Sequence, residues 1–345
     1  MAARLSHRWP SGPIGDRSEP VEAQPLTWII GAGGLLGSAL NERLRRQGRA
    51  CFTPAAAWAW KRPEQLPAQL RLALSSFREQ LGPGRPWEIH WTAGRGAMAS
   101  AAAELEADRI AFQALLQALA DDPHLPRHPG LLVLASSAGG LHAGSPVRLI
   151  DEDTPPQPNN PYGRWKLEQE QLTRQLVAAG YADAAFIGRI SSLYGVARGR
   201  SQRPGLIRTL ARQLLRRQPV RIFVPLDTMR DYLAVEDAVT MILAGAQQGW
   251  GQVMRGGSSS CLTRLVTSEQ PTAISELLGI FRRLTRRMPL IVTSSSGPVH
   301  LYGRCVRYRS RVLPELQRLV TTPLPLGIAA VLEAERRALA GPLPR

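Results

Sequence analysis

Residues 26–40 read LTWIIGAGGLLGSAL. The apolar run Leu26–Ile30 is short and ends in glycine, the pattern of a buried strand. Leu35–Arg46 follows with apolar residues at 35, 36, 40 and 44, which share one face of a helix. The connection sets Gly31, Gly34 and Gly37 at a GxxGxxG spacing, with Gly33 as an extra. In such a strand–turn–helix one glycine permits the tight turn and another lets the backbone approach a pyrophosphate. A third lets the helix pack on the strand, while the helix N-terminus faces the anion. The spacing alone also suits a plain packing turn; the strand before it and the helix after it favour a dinucleotide site. Gly31, Gly34, Leu35, Leu36 and Gly37 are therefore candidate cofactor-binding positions.

Downstream, strands alternate with helices. Strands are predicted at Ala50–Thr53, Trp87–Thr92, Leu131–Ser136, Ala184–Ile190, Val220–Val224 and Leu290–Thr293. Helices are predicted at Gln65–Leu81, Ala97–Ala120, Tyr162–Ala179, Leu206–Arg217, Val235–Ala246, Ile274–Arg286 and Ile328–Leu339. This alternation predicts an α/β fold of Rossmann type, a doubly wound parallel sheet covered on both faces. Residues 1–24, rich in Pro, Gly, Ser and charge, read as a flexible tail. Residues 25–190 are expected to form the NAD(P)-binding domain, with later segments, including 220–246, returning to it. Residues 191–345 are expected to be mainly a smaller C-terminal substrate-binding portion.

Composition narrows the partners. The 345 residues include 43 basic and 27 acidic side chains, a net charge of +16. Lysine occurs only at 61 and 166, so arginine is the generic surface cation and the two lysines stand out. The arginine-dense stretches lie on separate segments and no aromatic-interleaved signature accompanies them, so no nucleic-acid partner is expected. No apolar stretch is long enough for a membrane span, and the first 24 residues hold no apolar signal core. Cys51, Cys261 and Cys305 are too few and too scattered for a disulfide framework or a zinc site. Six dispersed histidines argue against a metal centre. A cytoplasmic, reduced protein is expected.

The strand Leu131–Ser136 runs into Ser137, and a loop leads to NPYGRWKLEQEQL, which carries Tyr162 and Lys166 as a YxxxK pair. Positions i and i+4 share a helix face. An ammonium beside a phenol favours the phenolate, so the phenol can exchange a proton with a carbinol oxygen during hydride transfer. A strand-end serine hydroxyl supplies a second hydrogen bond. YxxxK alone is common on helix surfaces; the upstream glycine turn, the serine pair and the rarity of lysine favour the catalytic reading.

Taken in order, IIGAGGLLG, EIHWTAG, LASSAGGLHAG, PNNPYGRWK and GRISSLYG followed by MRDYLAVED resemble the extended short-chain dehydrogenase/reductases, in particular the NAD-dependent epimerase/dehydratase family acting on nucleotide sugars. The resemblance covers roughly residues 26–340. It implies Ser137, Tyr162 and Lys166 as the catalytic set; the Ser137–Tyr162 separation of 25 suits it, although alignment of motif ends points to Ala138. It implies Ala93 and Gly94 beside the cofactor ribose, Arg230 on a substrate diphosphate, and a homodimer paired through the two long helices, Ala97–Ala120 and Tyr162–Ala179. Ser192 stands where the family has a substrate asparagine, and His142 is either a substrate contact or a plain loop histidine.

The departures are equally specific. The family's Asp-hydrophobic pair after the third strand, which grips adenine, is missing: no Asp lies between Asp16 and Asp108. Ala57–Trp60 is expected to fill that strand, with Trp58 or Trp60 on the adenine. Lys61 or Arg62 could face a 2′-phosphate, so the cofactor is NAD or NADP. The family's helix asparagine falls near Asp108 or Arg109. Dehydratases of the family carry an Asp–Glu pair where this chain has Gly139 and Gly140. The expected function is an NAD(P)-dependent oxidoreductase or epimerase of a small-molecule nucleotide sugar, without dehydration. Two readings stay open beside it: a reductase of a non-nucleotide carbonyl, and a non-catalytic NAD(P)-binding regulator.

Overall fold

The computed structural model describes residues 24–196, 198, 204–254, 260–293 and 306–341. The expected tail at 1–24 lies outside them, save for Gln24. In chain order the elements are β1 (Leu26–Ile30), α1 (Leu35–Arg46), β2 (Cys51–Phe52), α2 (Leu66–Leu81), β3 (Trp87–Trp91), α3 (Ala102–Asp121), β4 (Gly130–Ser137), α4 (Ala138–Leu141), β5 (Leu149–Ile150), α5 (Pro161–Ala178), β6 (Ala184–Ile190) and β7 (Ser192–Tyr194). They continue as α6 (Leu206–Leu215), β8 (Val220–Ile222), β9 (Met229–Ala234), α7 (Val235–Met254), β10 (Ser260–Val266), β11 (Pro271–Ala273), α8 (Ile274–Thr285), β12 (Ile291–Thr293), β13 (Arg307–Tyr308) and α9 (Leu324–Ala340).

Six strands form the main sheet in the order β2-β1-β3-β4-β6-β10, all parallel. The chain first steps from β1 to β2, then returns to the other side of β1 for β3, so the strand order reverses at β1. The carboxyl ends of β1 and β3 flank the crevice where α/β sheets bind ligands. One face is covered by α2, α3 and α5, where Phe77, Phe112 and Trp165 pack against Trp28 and Trp91. The other carries α1 and α7, with Leu40, Leu44, Met241 and Ile242 against Ile29, Val133 and Phe186. A separate core joins α6, α8, α9 and β8 through Leu210, Phe281, Val331 and Ile222.

The expected strand at Ala57–Trp60 does not form. Residues 53–62 are coil and turn, and Trp58 stacks on Trp28, with ring centroids 6.2 Å apart and planes at 20°. Burying that indole against the core draws the segment over the sheet's face instead of along its edge. Two later elements also differ from the expected layout. Of the stretch 220–246, α7 packs on the main sheet, but β8 pairs with β12 in the smaller core. β10, unpredicted, completes the main sheet. Its Arg264 is fully buried and donates to the carbonyls of Leu265 and Leu313. A charged residue inside an otherwise strand-like run hid it. α7 passes through Gly245, which reads as a stop; a Cβ there would lie 2.2 Å from the Phe186 ring, so the glycine serves close helix–sheet packing. Among the described residues no helix is long and apolar enough to cross a membrane.

Candidate active site

The turn after β1 is built on glycine for steric reasons that the structure makes explicit. Gly31 has φ 102°, and a Cβ on it would sit 2.5 Å from the Ala93 nitrogen. A Cβ on Gly37 would meet the Gly31 carbonyl oxygen at 2.3 Å and Thr92 Oγ1 at 2.6 Å. Gly34 is different: its Cβ would have only the Gly31 oxygen nearby, at 3.3 Å. Gly31 and Gly37 are thus needed by the fold itself, while Gly34 keeps space open. Gly34 is also the N-cap of α1, with no side-chain cap and no acid in the first turn. The first N–H groups of the helix, including those of Leu35 and Leu36, have no intrahelical acceptor and face outward with the positive end of the helix dipole. The Leu36 side chain, by contrast, belongs to the core, so only its backbone is free for a ligand.

Beside this turn lies a cavity of about 710 Å³. Gly31, Gly34, Leu35, Ala93 and Gly94 line it, as do Trp60 and Lys61; Arg62 does not. Gly94 has φ 118°, and a Cβ there would approach Asp108 Oδ2 to 3.1 Å. Asp108 also lines this cavity and is buried. Burial pushes its carboxyl above the ordinary range, opposed by the Lys166 charge and by the hydrogen bond that Trp165 Nε1 donates to Oδ2 at 2.6 Å.

A second cavity, of about 750 Å³, meets the first at Gly96, which lines both. Ser137, Tyr162, Ser192 and Arg230 all line it. Ser137 ends β4 and caps α4, its Oγ accepting from the Gly140 N–H at 3.1 Å. Ala138, the neighbouring alternative, is fully buried in the core and has no hydroxyl. α5 starts at the NPYG sequence because Pro161 suits the first helical position and Asn160 caps it, accepting from the Gly163 N–H at 2.9 Å. That start sets Tyr162 between two glycines. A Cβ on Gly96 would lie 2.9 Å from one edge of its ring, and a Cβ on Gly140 would lie 3.0 Å from the other and 3.2 Å from Ser137 Oγ. Lys166, one turn on, is buried, with Nζ donating to the Ala135 carbonyl at 2.9 Å and lying 5.9 Å from the Tyr162 ring centroid. One turn further, Glu170 is fully buried and accepts from Ser136 Oγ and from Arg189, at 2.7 to 3.0 Å, tying α5 to β4 and β6.

His142 does not belong to this wall. It is 1% exposed, lines neither cavity, and burial together with the Arg189 charge lowers its pKa to about 4. The loop after α4 folds the imidazole inward, so the expected substrate contact becomes a buried neutral ring. Conversely, Arg221 of β8 and Tyr308 of β13 reach the cavity without having been read from the sequence. Burial holds the Tyr308 phenol well above its ordinary value, with the Asp231 charge adding to it.

The sequence matches the NAD dependent epimerase/dehydratase family over residues 27–253. No curated protein matches it significantly. Among solved structures, MoeE5 in complex with UDP-glucose and NAD is 23% identical, with a TM-score of 0.68 over 91% of this chain and 99% of that one. UDP-glucose 4-epimerase from Thermotoga maritima, bound to UDP-glucose, is 17% identical, with a TM-score of 0.69 over 91% and 99% of the two chains. TunA, an NAD-dependent NDP-hexosamine 5,6-dehydratase of tunicamycin biosynthesis, is 15% identical, with a TM-score of 0.66 over 90% and 98%. At these identities the likeness is one of fold. The family match runs from β1 into the last turn of α7 and takes in every strand of the main sheet except β10, so the chain belongs to the NAD-dependent epimerase/dehydratase family of extended short-chain dehydrogenase/reductase enzymes.

Proposed function

We propose that the chain is an NAD(P)-dependent oxidoreductase or epimerase of a nucleotide sugar, working at a carbinol carbon without loss of water. The observation that carries this reading is the placing of Ser137 Oγ and the Tyr162 ring together beside Gly140 on the wall of the second cavity, with Gly96, shared by both cavities, against the same ring. The glycine turn and the α1 N-terminus fit a dinucleotide pyrophosphate, and Ala93 and Gly94 fit its neighbouring ribose. Trp60, half-buried and tilted against Trp58 with ring centroids 6.4 Å apart, lines the cavity and fits an adenine, whereas Trp58 stacks on Trp28. The cofactor, when bound, supplies a hydride acceptor or donor beside Tyr162.

The remaining work falls to side chains of this chain. Tyr162 takes the hydroxyl proton as the carbinol is oxidised and returns it on reduction. Ser137 Oγ hydrogen-bonds the same oxygen. Lys166, positioned by the Ala135 carbonyl, keeps a compact positive charge near the phenol. Arg230 of β9 and Arg221 of β8, which line the same cavity, offer guanidinium groups to a diphosphate. Ser192 offers a hydroxyl to the sugar. Pairing of two chains through α3 and α5 belongs to the same reading.

The case against dehydration is steric as well as chemical. A side chain at Gly140 would crowd both Tyr162, at 3.0 Å, and Ser137 Oγ, at 3.2 Å, and neither Gly139 nor Gly140 offers a carboxylate. Glu152 is spent on the Leu265 and Arg311 N–H groups and the Ser310 hydroxyl, while Asp231 accepts from Ser191 and Ser268. Incubation with NAD or NADP and a panel of nucleotide hexoses tests the proposal. An inverted or reduced sugar is the expected product, and a 4-keto-6-deoxy sugar or an unsaturated one would overturn it. The largely apolar wall of the substrate cavity, including Leu193, Ile222, Phe223 and Val306, favours a non-nucleotide carbonyl as the second reading.

A further inference from the structure

We propose that the outer end of the cofactor cavity is a 2′-phosphate site built on Lys61, so that the chain takes NADP(H) in preference to NAD(H). This rests on the dinucleotide reading above and goes beyond it in naming the cofactor. The cavity runs from Gly96, beside Tyr162, past the glycine turn to Trp60 and Lys61. A dinucleotide with its reactive ring at Gly96 and its pyrophosphate over the α1 N-terminus lays its adenosine at the Trp60–Lys61 end.

Preference for NAD at that end depends on a carboxylate that accepts from the ribose hydroxyls and repels a phosphate. This chain has no acid between Arg49 and Arg62, and residues 53–62 form a coil where a strand would present one. Lys61 is exposed on the cavity wall, and among the described residues no carboxylate pairs with it. Glu104, which lines the same cavity from the first turn of α3, already holds a partner of its own. Arginine is the generic cation of this chain, and of its two lysines Lys166 is buried beside the phenol while Lys61 is exposed on this cavity. An ammonium binds phosphate as a point charge from a flexible stem and needs no fixed fork geometry, which suits a lysine carried on coil. The other cation on the cavity, Arg95, stands between Gly94 and Gly96, toward the inner end. It is placed to attract either dinucleotide equally.

Titration of the full-length protein with NADPH and with NADH, by calorimetry, tests this. NADPH is expected to bind about tenfold tighter or more, the scale of a charge-assisted hydrogen bond. Added salt should narrow the gap, since the site is exposed. Lys61→Ala should weaken NADPH about tenfold and leave NADH and the melting temperature unchanged. Arg95→Ala should weaken both dinucleotides alike. Equal or tighter binding of NADH overturns the inference and leaves the dinucleotide reading intact. So does a preference that survives Lys61→Ala, or one that is lost with Arg95→Ala instead. Binding of neither dinucleotide overturns both readings together.

Discussion

At its inner end the cofactor cavity is bounded by Gly31, Ala93 and Gly94, with the Tyr162 ring just beyond, held between Gly96 and Gly140; here spacings are so close that one added carbon would collide. At its outer end the wall is the coil at 53–62, which carries an exposed lysine and a half-buried tryptophan. The inner end holds the glycine turn and the phenol, with Asp108 near the place where the resemblance implies an asparagine, and the outer end lacks both the adenine-side Asp and the expected strand at 57–60. The difference teaches that proton transfer to a carbinol needs atoms fixed to tenths of an ångström, whereas recognition of an adenosine tolerates any wall offering an aromatic face and a suitable charge.

The sharpest way to break the comparison is at the phenol. Tyr162→Phe should lower turnover by about a thousandfold, the scale of a lost general acid–base group, with cofactor affinity nearly intact. Retained turnover would place the chemistry elsewhere. The glycines come next, because they separate packing from binding. Gly37→Val is expected to cost about 3 kcal/mol in chemical denaturation, since its Cβ would press on the Gly31 carbonyl. Gly34→Val should leave stability almost unchanged and abolish cofactor binding. If both variants behaved alike, the two glycines would share one role.

Acid should weaken the buried end of α4, where His142 lines neither cavity. His142 is held neutral, with its pKa lowered from 6.5 to about 4, chiefly by burial. Between those values the unfolded chain binds a proton that the native state refuses, so stability rises with pH across that window. The loss on acidification from pH 6.5 to 4 should be about 3 kcal/mol. Denaturant melts of His142→Phe should show a flatter dependence over the same range; an unchanged slope would remove His142 as its cause. The smallest effect is expected at the outer end, where Trp60→Ala should weaken cofactor binding by about 1 kcal/mol through the lost stacking surface. A larger loss there than at Gly34 would reverse the ranking of the two ends.

How much of this was legible in the sequence follows the same division. α1 and β6 have the bounds that their apolar spacing predicts, and the phenol, lysine and strand-end serine converge as their spacing requires. Those features depend on local periodicity and on one helix face. Tyr308 joins the substrate wall only because β13 pairs with β5, a contact between segments far apart in the chain, and Arg221 arrives through the β8–β12 pair. Neither carries a local pattern. The direction of the His142 ring was equally unreadable, since a histidine beside glycines is compatible with either side of a loop. α3 begins at Ala102 and not at 97 because the Ser100 hydroxyl accepts from the Ala97 N–H and holds a turn ahead of the helix.

The absent strand at 57–60 has a further consequence, for self-association. A sheet edge is a row of unmet hydrogen bonds on which another chain can polymerise, and short edge strands or charged side chains are ways to blunt it. Here β2 is only two residues long, too little backbone to template a neighbour. The opposite edge, β10, is longer, and there the Leu265 N–H donates to Glu152 Oε1 at 2.9 Å while Arg264 covers the adjoining carbonyl. One edge is blunted by brevity and the other by charge, so Glu152→Leu should strip the Leu265 N–H of its acceptor, loosen the 310–311 segment over this edge and raise the tendency to self-associate, which light scattering would read.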